Sequence, residues 1–425
     1  METKLDIKRH PCFNAEVKGE CGRVHLPVAP KCNILCNYCN RKYDCVNESR
    51  PGVTSAVLTP EQSLAYMERV LAAEPRITVA GIAGPGDPFA NPEDTMRTLR
   101  LVREKFPELL LCLATNGLGL PPYVQELADL QVSHVSITVN AVDPEVGRRL
   151  YSWVRDGKVV YRGLKAAELL LSRQLEAIAA LKAHGITVKV NTIIVPGVND
   201  HHVEAIAGRM AELGVDILNL MPMYPNVDTP FAEIPEPTPA LMSALRLEAE
   251  KFLPQMHHCT RCRADAVGLL EEDRSKDLHG CLSACAALPP PLDQDRPYVA
   301  VATREGALVN LHLGEAPSLQ IWGPDQNGGF TLIEERPAPL PGSPDRWGAL
   351  AGTLKDCRAV LVNAIGDTPR AILQESRVMP LEMSGFIDMA LSAVYDGSAV
   401  DLFKARRGGL GKACTGNKGF AGGCY

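Results

Sequence analysis

The regular alternation of two kinds of segment constrains the fold of this chain more than any other sequence feature. Between residues 24 and 253, a short apolar segment rich in β-branched residues is followed six times by an amphipathic segment, as in RITVAGIAG before PEDTMRTLRLVREKF. Apolar strands separated by helices predict a parallel sheet covered on both faces. Six units predict an α/β fold, a partial (β/α)6 TIM-like barrel, with its functional groups at the C-terminal ends of the strands.

The composition changes after the barrel. Residues 286–297, AALPPPLDQDRP, are rich in proline and predict a linker. Short strand-like and helical segments follow, and they predict a small α/β domain at 298–403. Residues 404–425 are rich in glycine and lack periodicity, so a flexible tail is expected there. The chain therefore divides into an N-terminal segment, 1–23, a barrel, 24–285, and a smaller second domain.

Charge and hydropathy exclude several classes of protein. The net charge is −6 and the pI is near 6.0, which gives no general attraction to nucleic acid. The N-terminal METKLDIKRHPC has no apolar core, and no stretch approaches 18 uninterrupted apolar residues. The sequence therefore predicts neither a signal peptide nor a membrane span, and a cytoplasmic location is expected.

The fourteen cysteines indicate metal or redox chemistry rather than disulfides, because nothing suggests an oxidising compartment. Cys357, in the apolar stretch LKDCRAVLV, is expected to be a core residue. Three others have the spacing C-x3-C-x2-C, and three thiolates can hold three irons of a 4Fe-4S cluster and leave one iron open. The cysteines in polar surroundings, which favour metal ligation, are Cys12, Cys21, Cys32, Cys36, Cys39 and Cys45.

This three-cysteine spacing, with Tyr38 before the last cysteine, resembles the signature of the radical S-adenosylmethionine (SAM) enzymes. The resemblance implies that the open iron binds SAM and that the reduced cluster cleaves it to a 5′-deoxyadenosyl radical. It also implies a barrel of the radical SAM type, in agreement with the strand and helix pattern. A 4Fe-4S cluster and SAM are therefore the expected cofactors.

The loop after the second strand, GPGD, resembles the GGE segment of the same superfamily, whose backbone contacts the amino group of SAM. It consists of Gly84, Pro85, Gly86 and Asp87, and aspartate stands where that segment has glutamate. Tyr38 is a further candidate for SAM binding. So are six polar residues near strand ends, although capping a helix or closing a turn is an equally good interpretation of each of these six. These candidates are Thr115, Asn116, Ser136, Thr138, Asn140 and Asn191.

Longer stretches resemble one family within this superfamily. HPCFN, GECGR, CNRKYDCVNESRPGV, AGPGDPFAN and CTRCRADAVG together closely resemble the NifB family of nitrogenase cofactor biosynthesis. The C-terminal domain resembles the NifX-like, ribonuclease H-like cofactor-binding domain that is fused to many of its members.

The resemblance implies an activity and a set of ligands. Two further 4Fe-4S clusters, K1 and K2, would be substrates that are fused with a carbide from a SAM methyl group and with an added sulfur. The product would be NifB-co, the 8Fe-9S-C precursor of the FeMo cofactor, formed by methyl transfer followed by hydrogen abstraction, which is lyase and transferase chemistry. Seven ligands for the eight irons are implied: His10, Cys12, Cys21, Cys45, Cys112, Cys259 and Cys262.

Further roles follow from the resemblance. Glu48 is the candidate for proton transfer, and Arg50 for balancing the charge of clusters or of the SAM carboxylate, although an ordinary ion pair would explain both. The expected partners are a ferredoxin or flavodoxin as electron donor and a carrier or scaffold protein as acceptor of the product.

Two alternatives remain open at this point. Cys259-x2-Cys262 followed by Cys281-x3-Cys285 is close to the spacing of a structural zinc site, which would leave five ligands for the substrate clusters. The chain could also be a carrier of finished cofactor that uses His312, Cys414 and Cys424. An intact three-cysteine loop would serve no purpose in a pure carrier, so carrying is at most a second function.

Overall fold

The computed structural model describes residues 5–47, 52–259, 261–288, 295–325 and 328–396. The chain divides into two compact units, Met1–Pro289 and Pro290–Tyr425. Half of the predicted linker and the whole predicted tail lie outside the described residues. Among the described residues, no helix combines the length and the apolar composition that a membrane crossing requires.

The first unit alternates strands and helices along the chain. Its strands are β1 (Gly22–His25), β2 (Ile34–Cys36), β3 (Ile77–Ile82), β4 (Leu110–Thr115), β5 (Val132–Thr138), β6 (Tyr151–Asp156), β7 (Val159–Tyr161), β8 (Thr187–Ile194), β9 (Ile217–Pro222) and β10 (Val267–Gly268). Its helices are α1 (Pro60–Ala73), α2 (Pro92–Lys105), α3 (Val124–Asp129), α4 (Pro144–Leu150), α5 (Gly163–Ala183), α6 (Val203–Glu212), α7 (Pro239–Glu250) and α8 (Ser275–Ala286).

A seven-stranded sheet forms the centre of this unit. Its order is β10-β1-β3-β4-β5-β8-β9, and every neighbouring pair from β1 to β9 is parallel. β10 runs antiparallel to β1 at the edge of the sheet. Six parallel strands with helical crossovers form a curled half-barrel, which confirms the predicted partial (β/α)6 fold.

Local sequence signals explain why the helices begin where they do. The Thr59 hydroxyl accepts a hydrogen bond from the Gln62 backbone, and the Gln62 side chain accepts one from the Thr59 backbone, so α1 begins with a capping box. Pro60 then occupies the first helical position, where no backbone donor is needed. On the buried face of α1, Tyr66 and Met67 pack in the hydrophobic core of the first unit.

A separate three-stranded sheet holds the cysteine loop. β6 and β7 form a hairpin in the insertion between α4 and α5, and β2 pairs antiparallel with β6. In this pairing Cys36 is opposite Tyr151. The second cysteine of the three-cysteine spacing is therefore fixed by strand pairing, although most of the surrounding loop is irregular.

The second unit is a smaller α/β domain. Its elements are β11 (Tyr298–Val301), β12 (Leu308–Val309), β13 (Ser318–Pro324), β14 (Phe330–Pro337), α9 (Arg346–Thr353), β15 (Cys357–Val362), α10 (Asp367–Glu375), β16 (Met379–Glu382), β17 (Gly385–Phe386) and α11 (Ile387–Asp396). The sheet order is β14-β13-β11-β15-β16, antiparallel up to β11 and parallel beyond it. Residues of α9 and α10 join one core and residues of α11 join another. Cys357 is fully buried in β15, as predicted for a core residue.

Candidate active site

Two neighbouring cavities in the first unit contain most of the predicted site residues. The small cavity encloses about 350 Å³ and is lined by Cys32, Cys36, Cys39, Cys45, Asp87 and Asn116. The large cavity encloses about 670 Å³, and its lining includes His10, Cys12, His25, Cys112, Cys259 and Cys262.

Hydrogen bonds around Tyr38 fix the cysteine loop. Tyr38 is fully buried, and its hydroxyl donates to Asn47 Oδ1 at 2.7 Å and accepts from Asn140 Nδ2 at 2.8 Å. The Cys39 backbone N–H donates to the Cys36 carbonyl at 3.0 Å and closes the turn between them. Tyr38 and Asn140, both predicted to bind SAM, are therefore hydrogen-bonded to each other, and together with Asn47 they hold the loop that carries the thiols.

The thiols of the small cavity suit a metal cluster rather than free cysteine chemistry. Burial and the nearby Asp87 raise the pKa of Cys32 to about 12, and burial together with Cys39 and Cys32 raises the pKa of Cys36 further. Amide donors lie next to two of the sulfurs, Asn116 Nδ2 at 3.9 Å from Cys32 Sγ and Asn47 Nδ2 at 3.6 Å from Cys36 Sγ. Buried thiolates need a positive partner, which iron supplies.

The donor set of the small cavity also suits a cluster, because three thiols, Cys32, Cys36 and Cys39, line it together. No three His, Cys, Asp or Glu side chains among the described residues stand close enough together to hold one metal ion. A 4Fe-4S cluster takes its cysteines on separate irons, so its ligands stand farther apart around a cavity. The residues of the small cavity therefore fit the predicted cluster.

The GPGD segment packs directly against the cysteine loop. Gly84 has φ +128°, a conformation that favours glycine. The Gly86 backbone N–H donates to the Ala29 carbonyl at 2.6 Å, and the Pro85 carbonyl accepts from the Cys45 backbone N–H at 2.9 Å. Gly86 lies so close to the loop that a Cβ there would be 2.2 Å from the Lys31 carbonyl oxygen.

We expect Gly86→Ala to destabilise the first unit by about 1–3 kcal/mol or more, because the added methyl group overlaps backbone that cannot move freely. Thermal unfolding and iron content would measure the loss of stability and of the cysteine loop's geometry. Gly19→Ala is the matched control, since no heavy atom lies within 4 Å of a Cβ at that position. Equal behaviour of the two variants would contradict the close packing of GPGD on the loop.

Asp87 connects the GPGD segment to the end of β4. Its buried carboxylate accepts hydrogen bonds from Thr115 Oγ1 at 3.0 Å, from the Asn116 backbone at 2.6 Å and from the Phe89 backbone at 2.9 Å. Burial raises the pKa of Asp87, and these donors act in the opposite direction. Asp87 and Thr115, both predicted to bind SAM, are therefore engaged with each other, and they hold Asn116 at the rim of the small cavity.

The remaining candidates for SAM binding lie along β5 and β8. Ser136 and Asn191 line the large cavity, and Thr138 is buried at the end of β5. Asn191 Oδ1 accepts a hydrogen bond from Asn219 Nδ2 at 3.1 Å. Asn219, on β9, lines the same cavity and was not predicted from the sequence.

Most of the predicted substrate ligands meet in the large cavity. His10, Cys12, Cys112, Cys259 and Cys262 line it, Cys45 lines the small cavity, and Cys21 is buried but lines neither of the two. Burial raises the pKa of Cys12 to about 11. Three buried polar atoms of the lining have no hydrogen-bond partner within the described chain, namely His10 Nε2, Asn219 Oδ1 and Arg261 Nε. Unsatisfied buried groups are rare in native proteins, so this cavity fits a bound group of polar or metallic character.

The structure adds His25 to the candidate ligands. His25 Nδ1 lies 3.0 Å from the Arg263 carbonyl oxygen, which can only accept, so Nδ1 carries the hydrogen and Nε2 keeps its lone pair. Burial and the nearby Arg23 lower the pKa of His25 to about 4, which keeps the ring neutral. A neutral imidazole whose other nitrogen donates to a carbonyl is the usual arrangement of a histidine that binds metal.

His10 has the opposite arrangement. Its Nδ1 accepts a hydrogen bond from the Cys12 backbone N–H at 3.2 Å, so in the neutral ring the hydrogen is on Nε2. Burial and the nearby His134 lower the pKa of His10 well below its usual value. Binding of iron through Nε2 would therefore require the Cys12 amide to release Nδ1.

Cations also line the large cavity. Three buried basic side chains line it: Arg23 on β1, Lys189 on β8, and Arg261. Arg261 also donates to the Val46 carbonyl at 2.9 Å, and Val46 lines the small cavity. Arg261 therefore stands between the two cavities, where it can balance negative charge on either side.

The two candidates for proton transfer and charge balance, Glu48 and Arg50, lie outside the described residues. The segments on either side of them are held together. The Asp44 backbone N–H donates to the Gly52 carbonyl at 2.9 Å, and the Thr54 backbone N–H donates to Asp44 Oδ1 at 3.0 Å. The first of these segments lines the small cavity through Cys45, Val46 and Asn47.

Comparisons with known proteins agree with this geometry. Residues 26–210 match the model of the radical SAM superfamily, and residues 296–397 match the model described as dinitrogenase iron-molybdenum cofactor. The chain is 52% identical to the FeMo cofactor biosynthesis protein NifB of Chlorobaculum tepidum, over 96% of this chain and 99% of that protein. The chain belongs to the NifB family. The protein of the same name in Klebsiella pneumoniae is 40% identical over 87% of this chain and 86% of its own length. The one in Frankia alni is 38% identical over 91% of this chain and 87% of its own length.

Within this NifB-family chain, the four thiols of the alternative zinc site do not come together. Cys259 and Cys262 line the large cavity, whereas Cys285 is fully buried on α8 in the core that α1 and α8 share, with Cys281 packed beside it. The described residues contain no group of three such ligands close enough for one ion. The structure therefore does not favour zinc there, and Cys281 and Cys285 act as core residues.

Proposed function

We propose that this chain fuses two 4Fe-4S substrate clusters, K1 and K2, with a carbide from SAM and an added sulfur to form NifB-co. Membership in the NifB family and the two matched domains support a radical SAM role in FeMo cofactor biosynthesis. The observation that carries the proposal is the pair of adjacent cavities, each lined by several thiols and joined by Arg261.

The small cavity is proposed as the site of SAM cleavage. Cys32, Cys36 and Cys39 would hold the 4Fe-4S cluster, which when bound supplies the electron that cleaves SAM. Tyr38, Asn47 and Asn140 hold the cysteine loop by hydrogen bonds, and the GPGD backbone lies against that loop. Ser136 and Asn191, which line the large cavity next to it, would direct the rest of SAM towards the substrate clusters.

The large cavity is proposed to hold the substrate. Cys12, Cys112, Cys259 and Cys262 would bind K-cluster irons, with Cys45 reaching them from the side of the small cavity. His10 and Cys21 remain proposed ligands from the resemblance, and His25 is added to them. Because His25 presents a lone pair at Nε2 and His10 does not, we propose His25 as the nitrogen ligand.

Replacing His25 by asparagine is expected to remove the nitrogen hyperfine signal from the substrate clusters, because it removes the lone pair at Nε2. Pulsed electron paramagnetic resonance on the loaded chain, labelled with ¹⁵N-histidine, measures this directly. His10→Asn should keep the signal, and His202→Asn is the control, since the His202 ring accepts from the Val142 backbone away from the cavities. A signal that persists in His25→Asn and disappears in His10→Asn would reverse the assignment.

Roles outside the described cavities complete the proposal. Glu48 would accept protons released as the methyl carbon loses hydrogen, and Arg50 would balance charge near it. A ferredoxin or flavodoxin would deliver electrons, and a carrier or scaffold protein would accept the product. Retention of SAM cleavage together with loss of carbide formation in Glu48→Gln would support this role.

A second function, the holding of finished product, is proposed for the second unit. The match of residues 296–397 to the dinitrogenase iron-molybdenum cofactor model favours it. Deletion of residues 298–425 should then slow the transfer of NifB-co to an acceptor while its formation continues. Unchanged transfer would contradict this role and leave synthesis by the first unit unaffected.

A further inference from the structure

Arg23 makes an unusual set of contacts for a residue of a buried barrel strand. Its side chain is 1% exposed, and it projects from β1 into the large cavity. Nε lies 3.3 Å and Nη2 3.2 Å from Cys262 Sγ, so two nitrogens of one guanidinium donate to a single sulfur. The sulfur belongs to a cysteine that the proposed function assigns to a substrate cluster.

The direction of this guanidinium is fixed by the backbone of β10. Nη1 donates to the Gly268 carbonyl at 2.5 Å and to the Leu269 carbonyl at 2.9 Å. Gly268 is also the strand-pairing partner of Arg23. The planar fork of arginine is rigid, so anchoring one nitrogen on two carbonyls aims the other two at the sulfur. A lysine could supply the charge here, but it has only one nitrogen and could not bind the carbonyls and the sulfur through separate nitrogens.

Hydrogen bonds to a ligating sulfur have a known physical effect. They draw electron density away from the sulfur, which favours the reduced cluster and raises its reduction potential. Donors outside the ligand shell also fix the orientation of the ligand, and their loss commonly weakens metal binding. Arg23 is placed to do both, because its donors are charged and shielded from water.

We propose that Arg23 is a positioning residue for the substrate cluster, and that its two N–H···S hydrogen bonds hold the Cys262 sulfur and raise the reduction potential of the cluster bound there. This inference rests on the proposed function, which makes Cys262 an iron ligand. Arg23 acts through Cys262, so its effect should depend on that sulfur.

The experiment uses the full chain, reconstituted anaerobically with iron and sulfide, in the variants Arg23→Gln, Arg23→Lys, Cys262→Ala and Arg23→Gln with Cys262→Ala. Redox titration followed by electron paramagnetic resonance gives the midpoint potential of each cluster, and iron analysis gives the loading. We expect the potential of one cluster to fall in Arg23→Gln and to fall less in Arg23→Lys. In the Cys262→Ala background, Arg23→Gln should shift no remaining potential.

Other results would overturn the inference. An equal shift with and without Cys262, or no shift in Arg23→Gln and Arg23→Lys at normal iron content, would show that Arg23 only anchors β10. If Arg23→Gln fails to fold, Arg23→Lys and its double variant with Cys262→Ala decide the question in the same way. Arg103→Gln is the matched control, because Arg103 also donates to several backbone carbonyls but lines neither cavity.

The same variants separate this inference from the proposed function. If Cys262→Ala changes neither the iron content nor any potential, Cys262 is not a cluster ligand and that part of the proposed function fails. If Cys262→Ala changes them and Arg23→Gln does not, only the role of Arg23 fails.

Discussion

Replacing Cys32 by alanine is expected to remove about four irons per reconstituted chain and to abolish SAM cleavage. Cys32 lines the small cavity with Cys36 and Cys39; Cys36 is buried, and the other two are partly buried. In the variant, only Cys36 and Cys39 remain as ligands. Two of the four irons would then lack a protein ligand, instead of one, and we expect the cluster to be lost. Iron and sulfide analysis with an assay for 5′-deoxyadenosine measures both effects.

Cys45→Ala provides a sharp comparison for this prediction, because Cys45 lines the same cavity but is assigned to a substrate cluster. Cys45→Ala should therefore retain SAM cleavage and lose iron from the substrate clusters. Cys281→Ala, on α8, should retain both. Normal SAM cleavage in Cys32→Ala would contradict the assignment of the small cavity.

The double variant Cys259→Ala, Cys262→Ala is expected to lose substrate iron and keep the SAM-cleaving cluster. The wild-type chain should hold about 12 irons in three four-iron clusters and no zinc, and the variant should hold fewer while it still cleaves SAM. The reason is geometric, since both thiols line the large cavity and neither lines the small one. Iron, acid-labile sulfide and zinc per chain, with SAM cleavage as a second measurement, test it.

The opposite result is equally informative. About 4 to 8 irons with one zinc that the double variant loses would contradict three clusters and revive the structural zinc site. The substrate would then have to be different, although the radical SAM domain would remain.

The fold could be predicted where the pattern repeats and could not where elements are short. Six units of apolar strand and amphipathic helix specify the parallel sheet, because nearly all residues of its central strands β3, β4, β5 and β8 are buried, which requires cover on both faces. β10 was missed, since a two-residue strand has no period. The β6–β7 hairpin was missed as well, although a glycine at the first position of its two-residue loop, Gly157–Lys158, is a recognised hairpin signal.

The small cavity could be predicted from the sequence, whereas the large cavity could not. The thiols of the small cavity come from one short loop, so their spacing alone predicts that they act together. The large cavity is built from segments far apart in sequence, and only resemblance could join Cys12, Cys112 and Cys259. Arg23 and His25 were missed because they stand singly in a predicted apolar strand. Their spacing of two, which places both on one face of β1, was the available signal.

The sequence positions of the two linings also determine the order in which a ribosome can complete them. Every residue that lines the small cavity lies between Cys32 and Asn116, whereas the large cavity needs residues from His10 to Leu270. At about 5–20 residues per second, the last wall of the large cavity is synthesised roughly 8–30 s after the last residue of the small one. The lining of the small cavity is therefore complete first, and a ligand that needs the whole lining of the large cavity can bind only when the first unit is nearly complete.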